Sequence, residues 1–288
     1  MSKPRILVQL DGDAHASVFD SVVAVDSGVD HLFRHQAVEP EQVRHLVHGA
    51  MFTRGPADLH NTAVFVGGSD VEAGDVLLKK VTDCFFGLMR VSVMMDANGA
   101  NTTAAAAVLA VEKHLPLRDA AVLVLAATGP VGQRVVRLLA REGTQVRVAS
   151  RNLTRAQAVC DAVTATAGAA NLQAVATASE DDTRRAIEGV QGVVAAGAAG
   201  VQLMSKDVLA GVKVAIDLNA VPPVGIESIE ITDKAVERGG VACYGAIGVG
   251  GTKMKIHKAA IKKLFEANDQ VLDAEEILAI GRELSGGE

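Results

Sequence analysis

The chain has 288 residues, 49% of them apolar, and a formal net charge of −6, which suits one large or two smaller globular domains with a substantial core. It has no basic block and no aromatic–basic interleaving, which argues against a nucleic-acid partner. No apolar run approaches the roughly 20 residues that span a bilayer, which argues against a membrane. Cys84, Cys160 and Cys243 are scattered without C-x-x-C spacing, pointing to a reducing cytoplasm, and the apolar run after Met1-Ser2-Lys3-Pro4-Arg5 is too short for a signal peptide. His45 and His48 could share a helix face, but no carboxylate or cysteine set completes a site, so no metal is expected.

In chain order, Ile6 to Leu10 reads as a strand turned by Asp11-Gly12-Asp13. Ser17 caps a helix whose apolar residues Val18, Val22 and Val25 recur at helical spacing, and Asp20 completes a near capping box. Glu39 to His48 is a second helix, Thr62 to Gly68 a buried strand ending in a glycine turn, and Asp70 to Cys84 a helix. Arg90 to Met95 is a strand with a loop, Asp96 to Asn101, at its carboxyl end. Thr102 to His114 is an alanine-rich helix stopped by Pro116. Alternating strands and helices predict a mostly parallel α/β layer.

The strongest local signal runs from Ala120 to Arg151: an apolar strand to Ala126, a tight loop Ala127-Thr128-Gly129-Pro130-Val131-Gly132, a helical pattern to Glu142, and a second strand, Gln145 to Ala149. This is the pattern of a dinucleotide-binding βαβ unit of the Rossmann type. Gly129 admits a pyrophosphate against the backbone, Gly132 lets helix and strand pack closely, and the helix N-terminus attracts the phosphates. Ala127 stands where the fingerprint has its first glycine; an ordinary tight turn in a doubly wound sheet is the competing reading. The second strand ends in Ser150-Arg151-Asn152-Leu153-Thr154-Arg155, without the carboxylate of an NAD site. Arg151, helped by Ser150 and Arg155, suits a 2′-phosphate, so the cofactor reads as NADP. The alternative is a pair of solvated arginines.

Further on, helices are expected from Thr154 to about Thr166 and Asp181 to Glu188, and strands at Leu172–Ala176, Val190–Ala196, Val212–Leu218 and, last, Val241–Tyr244. Ala196 and Gly197 would admit a nicotinamide, and Asn219 lies in the next strand-end loop. Gly245 to Gly251 reads as a flexible loop opening a helix with Lys253, Lys255 and His257; helices Lys253–Ala267 and Ala274–Leu284 close the chain. The predicted division is a cofactor domain over 117–252 and a smaller open α/β substrate domain over 1–116, completed by the helices of 253–288. Candidates for the substrate side are Asp20, Lys253, His257 and the Asp96–Thr103 loop with Asn101 and Thr102. Lys253 and His257 share a helix face. On residues alone, Asp20 could equally complement a helix dipole, Lys253 could be a solvated lysine, and His257 could be packed in the core.

Several compositionally unusual motifs carry a resemblance over nearly the whole chain. They include Asp11-x-Asp13, Ser17-Val18-Phe19-Asp20, Asp26-x-Gly28-x-Asp30-His31, Phe65-Val66-Gly67-Gly68, Asp96-x-Asn98-Gly99-x-Asn101-Thr102-Thr103, Asn219-Ala220-x-Pro222-Pro223-x-Gly225-Ile226 and Gly245-Ala246-x-Gly248-x-Gly250-Gly251-x-Lys253-x-Lys255-x-His257. The chain resembles the NADP-dependent methylene-tetrahydromethanopterin dehydrogenases of bacterial one-carbon metabolism, some of which also accept methylene-tetrahydrofolate. The resemblance implies that Phe19, Asp20, Lys253 and His257 line a pterin cleft, and that the chain forms a homo-oligomer, with a trimer expected. Ala127 departs from the family's glycine, so its methyl is expected to weaken NADP binding modestly.

The chemistry so implied is hydride transfer from the methylene carbon to NADP⁺, leaving a methenyl cation. It needs alignment and stabilisation of positive charge rather than a base. Asp20 would act electrostatically and Lys253 would orient the pterin. Two other readings remain: an NADP oxidoreductase similar to shikimate dehydrogenases, suggested by Ser150 to Thr154, and a non-catalytic NADP-binding redox sensor. The Tyr-x-x-x-Lys pair of folate dehydrogenase–cyclohydrolases is missing, since the one tyrosine, Tyr244, is followed four places on by Gly248.

Overall fold

The computed structural model describes residues 3–168, 171–209 and 211–286. Along the chain the elements are β1 (Ile6–Asp11), α1 (Val18–Asp26), β2 (His31–His35), α2 (Pro40–Phe52), β3 (Thr62–Gly67), α3 (Val71–Thr82), β4 (Ser92–Met95) and α4 (Ala100–Glu112). They continue with β5 (Ala121–Leu125), α5 (Pro130–Arg141), β6 (Gln145–Ser150), α6 (Leu153–Ala167), β7 (Leu172–Ala176), α7 (Glu180–Ile187), β8 (Gly192–Ala195) and β9 (Val214–Asp217). The last are β10 (Lys234–Arg238), β11 (Val241–Tyr244), α8 (Ala246–Lys263), β12 (Val271–Leu272) and α9 (Ala274–Gly286).

The chain separates into two compact units, Met1–Thr102 with Met254–Glu288, and Thr103–Lys253. The chain passes from one to the other inside α4 and again inside α8, so the first passage precedes Pro116. Residues Ala104 to Val111 of α4 are all buried, as their small side chains allow.

In the first unit the sheet order is β12-β4-β3-β1-β2. Every pair in it is parallel, and the register sets Asp11 opposite Gly67 at the carboxyl edge. β3 is buried at every position, which explains its uninterrupted apolar run. Ser17 does cap α1, its side chain accepting from the Asp20 backbone N–H at 3.2 Å. α2 runs to Phe52, one turn beyond the expected end at His48.

In the second unit the order is β10-β11-β9-β8-β5-β6-β7, parallel except for the antiparallel β10. The chain winds one way through β5, β6 and β7, then returns to place β8 on the other side of β5. The order therefore reverses between β5 and β8, the place where doubly wound sheets bind ligands. The fold is of the Rossmann type, as expected. Three strands escaped the sequence reading: β2, β10 and β12, which are all edge strands. Val241–Tyr244 closes only the second sheet, since β12 follows it in the first.

The largest correction concerns Gly245 to Gly251. This stretch is not a flexible loop; from Ala246 onward it is the first part of α8. Two of its glycines, Gly245 and Gly248, serve close packing. A Cβ on Gly245 would overlap the Glu230 carbonyl oxygen, and one on Gly248 would overlap that of Asp233. The helix start is fastened there by Gly245 N–H to the Asp233 carbonyl at 2.9 Å and Ile247 N–H to the Ile231 carbonyl at 2.8 Å.

Candidate active site

In the second unit, the loop after β5 opens the crevice. Ala126, not Ala127, carries the left-handed backbone, at φ 52°. Ala127 has no exposed surface, so its methyl lies in the interior rather than on the crevice wall. Gly129 caps α5 in extended conformation, φ −81°, and Pro130 takes the first helical position. A Cβ on Gly129 would meet nothing nearer than the Ala126 and Ala196 carbonyl oxygens, at 3.6 and 3.7 Å. Neither the chain's packing nor its conformation therefore demands glycine there; room for an approaching group is the remaining use. Thr128 and Val131 are half-buried on either side, and the Thr128 carbonyl accepts from Gln133 Nε2 at 3.1 Å.

Gly132 is different. A Cβ there would lie 2.8 Å from Ala127 Cα and 2.9 Å from the Ala126 carbonyl oxygen, both backbone atoms that cannot swing away. Gly132→Ala is expected to push α5 off the strand end and cost about 2 kcal/mol of stability, in the range of core overpacking. A thermal melt of the purified variant checks this; an unchanged midpoint would mean that the helix shifts without cost.

A cavity of 340 Å³ lies over the carboxyl ends of β5, β6 and β7, walled by Leu125, Ala126, Arg151, Thr177, Ser179 and Leu203. Arg151 and Arg155 are exposed. Ser150 is largely buried, its Oγ accepting from the Asn152 N–H at 3.2 Å. Asn152 caps α6 through the Arg155 backbone N–H, 3.2 Å away. Ala196 and Gly197 are half-buried at the end of β8. Asn219 is buried, and its side chain is engaged within its own loop: Oδ1 accepts from the Val221 N–H at 2.9 Å and Nδ2 donates to the Pro223 carbonyl at 3.1 Å. It shapes the loop rather than presenting an amide. Lys253, half-buried, is the last residue of this unit.

In the first unit, three elements converge at the carboxyl edge of the sheet. α1 leaves Phe19 half exposed (52%), in line with exposed Val18, Val22 and Val25. Beside it, the Asp20 carboxylate stands 3.7 Å from the position a Cβ would take on Gly67. Asp11 is wholly buried and gathers the loop ahead of α1, accepting from the backbone N–H groups of Asp13 (3.0 Å) and Ser17 (2.9 Å).

Asp96, also wholly buried, accepts from the Thr102 N–H (3.0 Å) and Thr102 Oγ1 (2.7 Å), and its Oδ2 lies 3.8 Å from His257 Nδ1. The His257 ring is stacked on Phe65, with centroids 5.8 Å apart, and lies 6.3 Å from Phe19. Asn101 Nδ2 donates to the Met95 carbonyl at 2.7 Å and to Asp273 Oδ1 at 2.9 Å.

Asn101, Thr102 and His257 thus have no exposed surface, while Phe19 and Asp20 do. Asn101 and Thr102 spend hydrogen bonds on Met95, Asp273 and Asp96, and of the three His257 has the ring contact with Phe19. Sequence reasoning placed Asp11 in a turn and Asp96 in a candidate substrate loop but gave neither a buried anchoring role, and it gave Asp217 no role. Each stands at the carboxyl end of an apolar run, Ile6–Leu10, Val93–Met95 and Val214–Ile216, and that pattern was the available signal.

Over nearly its full length the chain is similar to the bifunctional protein MdtA of Methylorubrum extorquens, with 43% identity over 290 residues, 99% of this chain and 100% of that one. The chain belongs to the methylene-tetrahydromethanopterin dehydrogenase family. Residues 18–98 match the family model described as methylene-tetrahydromethanopterin dehydrogenase, N-terminal, a span that contains α1, β3 and Asp96. A second M. extorquens relative, an NAD(P)-dependent methylenetetrahydromethanopterin dehydrogenase, is 28% identical over 98% of this chain and 99% of its own. Family membership makes the chain an enzyme of this dehydrogenase type. Among solved structures, quinate dehydrogenase from Corynebacterium glutamicum in complex with NAD superposes with a TM-score of 0.57 at 15% identity, covering 98% of this chain and 100% of that one, and shows the shared fold. Among the described residues no helix is long and apolar enough to cross a membrane.

Proposed function

We propose that the protein oxidises methylene-tetrahydromethanopterin with NADP⁺, giving the methenyl-pterin and NADPH, with methylene-tetrahydrofolate as a second substrate. The observation that carries the reading is the crevice of the second unit. Gly129 is a glycine its own chain does not need, next to a helix N-terminus, and the adjoining cavity has Arg151 on its wall. β6 itself ends in Ser150 and Arg151 without a carboxylate, and Glu180, on the same cavity wall, is paired with Arg184. The residues present suit a pyrophosphate and a 2′-phosphate. When bound, NADP⁺ would supply the hydride acceptor.

The first unit is then the pterin-binding part. The exposed apolar stripe of α1 offers Phe19 as a flat surface for a ring, and Asp20 adds a negative charge beside it. The methylene C–H bond breaks with its electron pair leaving to the acceptor, so the carbon and its two nitrogens become cationic and no proton is removed. Asp20 stabilises that charge. Lys253 orients the pterin by hydrogen bonding, away from the reacting carbon, where a second cation would oppose the reaction. His257 lies beside Phe19, with Asp96 facing a ring nitrogen of the histidine.

Free cysteines at Cys84, Cys160 and Cys243 suit the cytoplasm, and we infer a homo-oligomer, a trimer by family resemblance, which light scattering would test.

The deciding experiment is NADP⁺ reduction with each pterin, repeated with NAD⁺. Turnover with methylene-tetrahydromethanopterin and NADP⁺ establishes reaction and cofactor together. Binding of NADP⁺ without turnover of either pterin would overturn the assignment.

A further inference from the structure

We propose that Asp217 is a positioning residue of the second unit: its buried carboxylate locks the loop after β9 and, through it, the loop after β8 that walls the cavity beside Arg151. This rests on the reading of that crevice as a nicotinamide-nucleotide site.

Asp217 is 1% exposed. Its Oδ1 accepts from the Asn219 N–H at 3.0 Å and its Oδ2 from the Ile226 N–H at 2.7 Å. The Gly225 N–H, next to Ile226, also favours its charged form. One carboxylate thus ties both ends of the segment 219–226, and Asn219 braces the middle through Val221 and Pro223.

That segment in turn holds the loop after β8. The Gly225 carbonyl accepts from the N–H groups of Leu203 (2.8 Å) and Met204 (3.0 Å), the Val221 carbonyl accepts from Gly200 (3.1 Å), and Glu227 N–H donates back to the Met204 carbonyl (3.1 Å). Leu203 and Met204 line the cavity; Asp217 does not. The carboxylate therefore acts on the cavity through a continuous ladder of backbone bonds within one unit.

A buried carboxylate is costly, and these amides are its compensation. Burial pushes the Asp217 carboxyl up from its ordinary range, opposed by the amides of Asn219, Ile226 and Gly225; no charged side chain is among the causes. An apolar residue of similar size would avoid the desolvation but orphan the amides of both segment ends. Gly225 completes the device: a Cβ there would lie 2.9 Å from Asp217 Oδ1 and 3.3 Å from the Ala195 Cβ, so only glycine lets the carboxylate reach its amides.

The test is Asp217→Asn, which keeps the shape but turns an amino group toward part of the amide set. With NADP⁺ and methylene-tetrahydromethanopterin as substrates, the KM for NADP⁺ should rise about tenfold, while kcat at saturation stays within about threefold and the pterin KM within about twofold. A lower kcat with an unchanged cofactor KM would mean simple loss of folded enzyme and would overturn the proposal, as would an unchanged variant. If Asp217→Asn does not fold, Gly225→Ala decides: it displaces the carboxylate without removing it, and a raised NADP⁺ KM supports the proposal while a wild-type value overturns it. Fluorescence titration of the wild-type protein with NADPH separates the two levels. No binding there sinks the cofactor reading itself, whereas wild-type binding with equally tight binding by Asp217→Asn sinks only the role of Asp217.

Discussion

Asp20→Asn is expected to lower kcat for methylene-pterin oxidation about 100-fold, the usual size of losing one preorganised charge aimed at charge that develops in the transition state. The substrate is neutral at the reacting carbon and the product is a cation, so a fixed carboxylate gains attraction as the hydride departs. An interaction of this kind lowers kcat and kcat/KM together and leaves KM nearly unchanged. The substitution leaves the start of α1 intact. The cap of α1 uses the backbone N–H of Asp20, which asparagine retains. The neighbouring Asp11 draws its bonds from Asp13 and Ser17, so it does not depend on the Asp20 side chain. Steady-state assays at saturating NADP⁺ check the expectation, with the NADP⁺ KM within about twofold as the control for fold. An unchanged kcat would mean that Asp20 only complements the dipole of α1, the other role its position allows.

That ambiguity is typical of what this sequence conceals. Elements buried on both faces were plain: β3 and β5 are apolar runs because parallel central strands are covered on both sides. The strands left unread, β2, β10 and β12, are edges. β2 carries His31, Arg34 and His35, largely in solvent, and β12 has only two residues, so neither shows burial in its composition. Gly245 and Gly248 were misread for a different reason. A glycine that permits a turn and one that admits a neighbouring backbone look identical in sequence, and only the carbonyls of Glu230 and Asp233 tell them apart. Ala126 and Ala127 pose the same problem in reverse, since the fingerprint marks the second while the left-handed conformation falls on the first. At the site, the strand-end loops were legible as places. Which side chains face outward was not, because a polar loop residue such as Asn101, Thr102 or Asn219 can spend its hydrogen bonds on the chain itself. The buried aspartates follow from the same accounting. Loops at strand ends carry amides without ladder partners, and a carboxylate is the one side chain that can accept from several of them at once.

Arg151→Ala should raise the KM for NADP⁺ about 30-fold while leaving that for NAD⁺ within about threefold, so the two cofactors become nearly equivalent. The estimate follows from one planar, charge-assisted pair with the 2′-phosphate, worth about 2 kcal/mol, with about 1.4 kcal/mol per decade. Two features keep it from being larger. Arg151 is exposed, so solvent and salt screen the pair. Arg155, one turn along α6, retains part of the attraction. Those features also yield an internal check: the discrimination between NADP⁺ and NAD⁺ in the wild-type enzyme should shrink as ionic strength rises, and in Arg151→Ala its salt dependence should be weaker, since only Arg155 remains. Equal losses with both cofactors would instead point to a structural role at the end of β6, where Arg151 stands between the Ser150–Asn152 hydrogen bond and the cap of α6. Because NAD⁺ lacks only the 2′-phosphate, a loss confined to NADP⁺ can be assigned to that group alone, and it would fix the direction in which the adenosine half lies across β6.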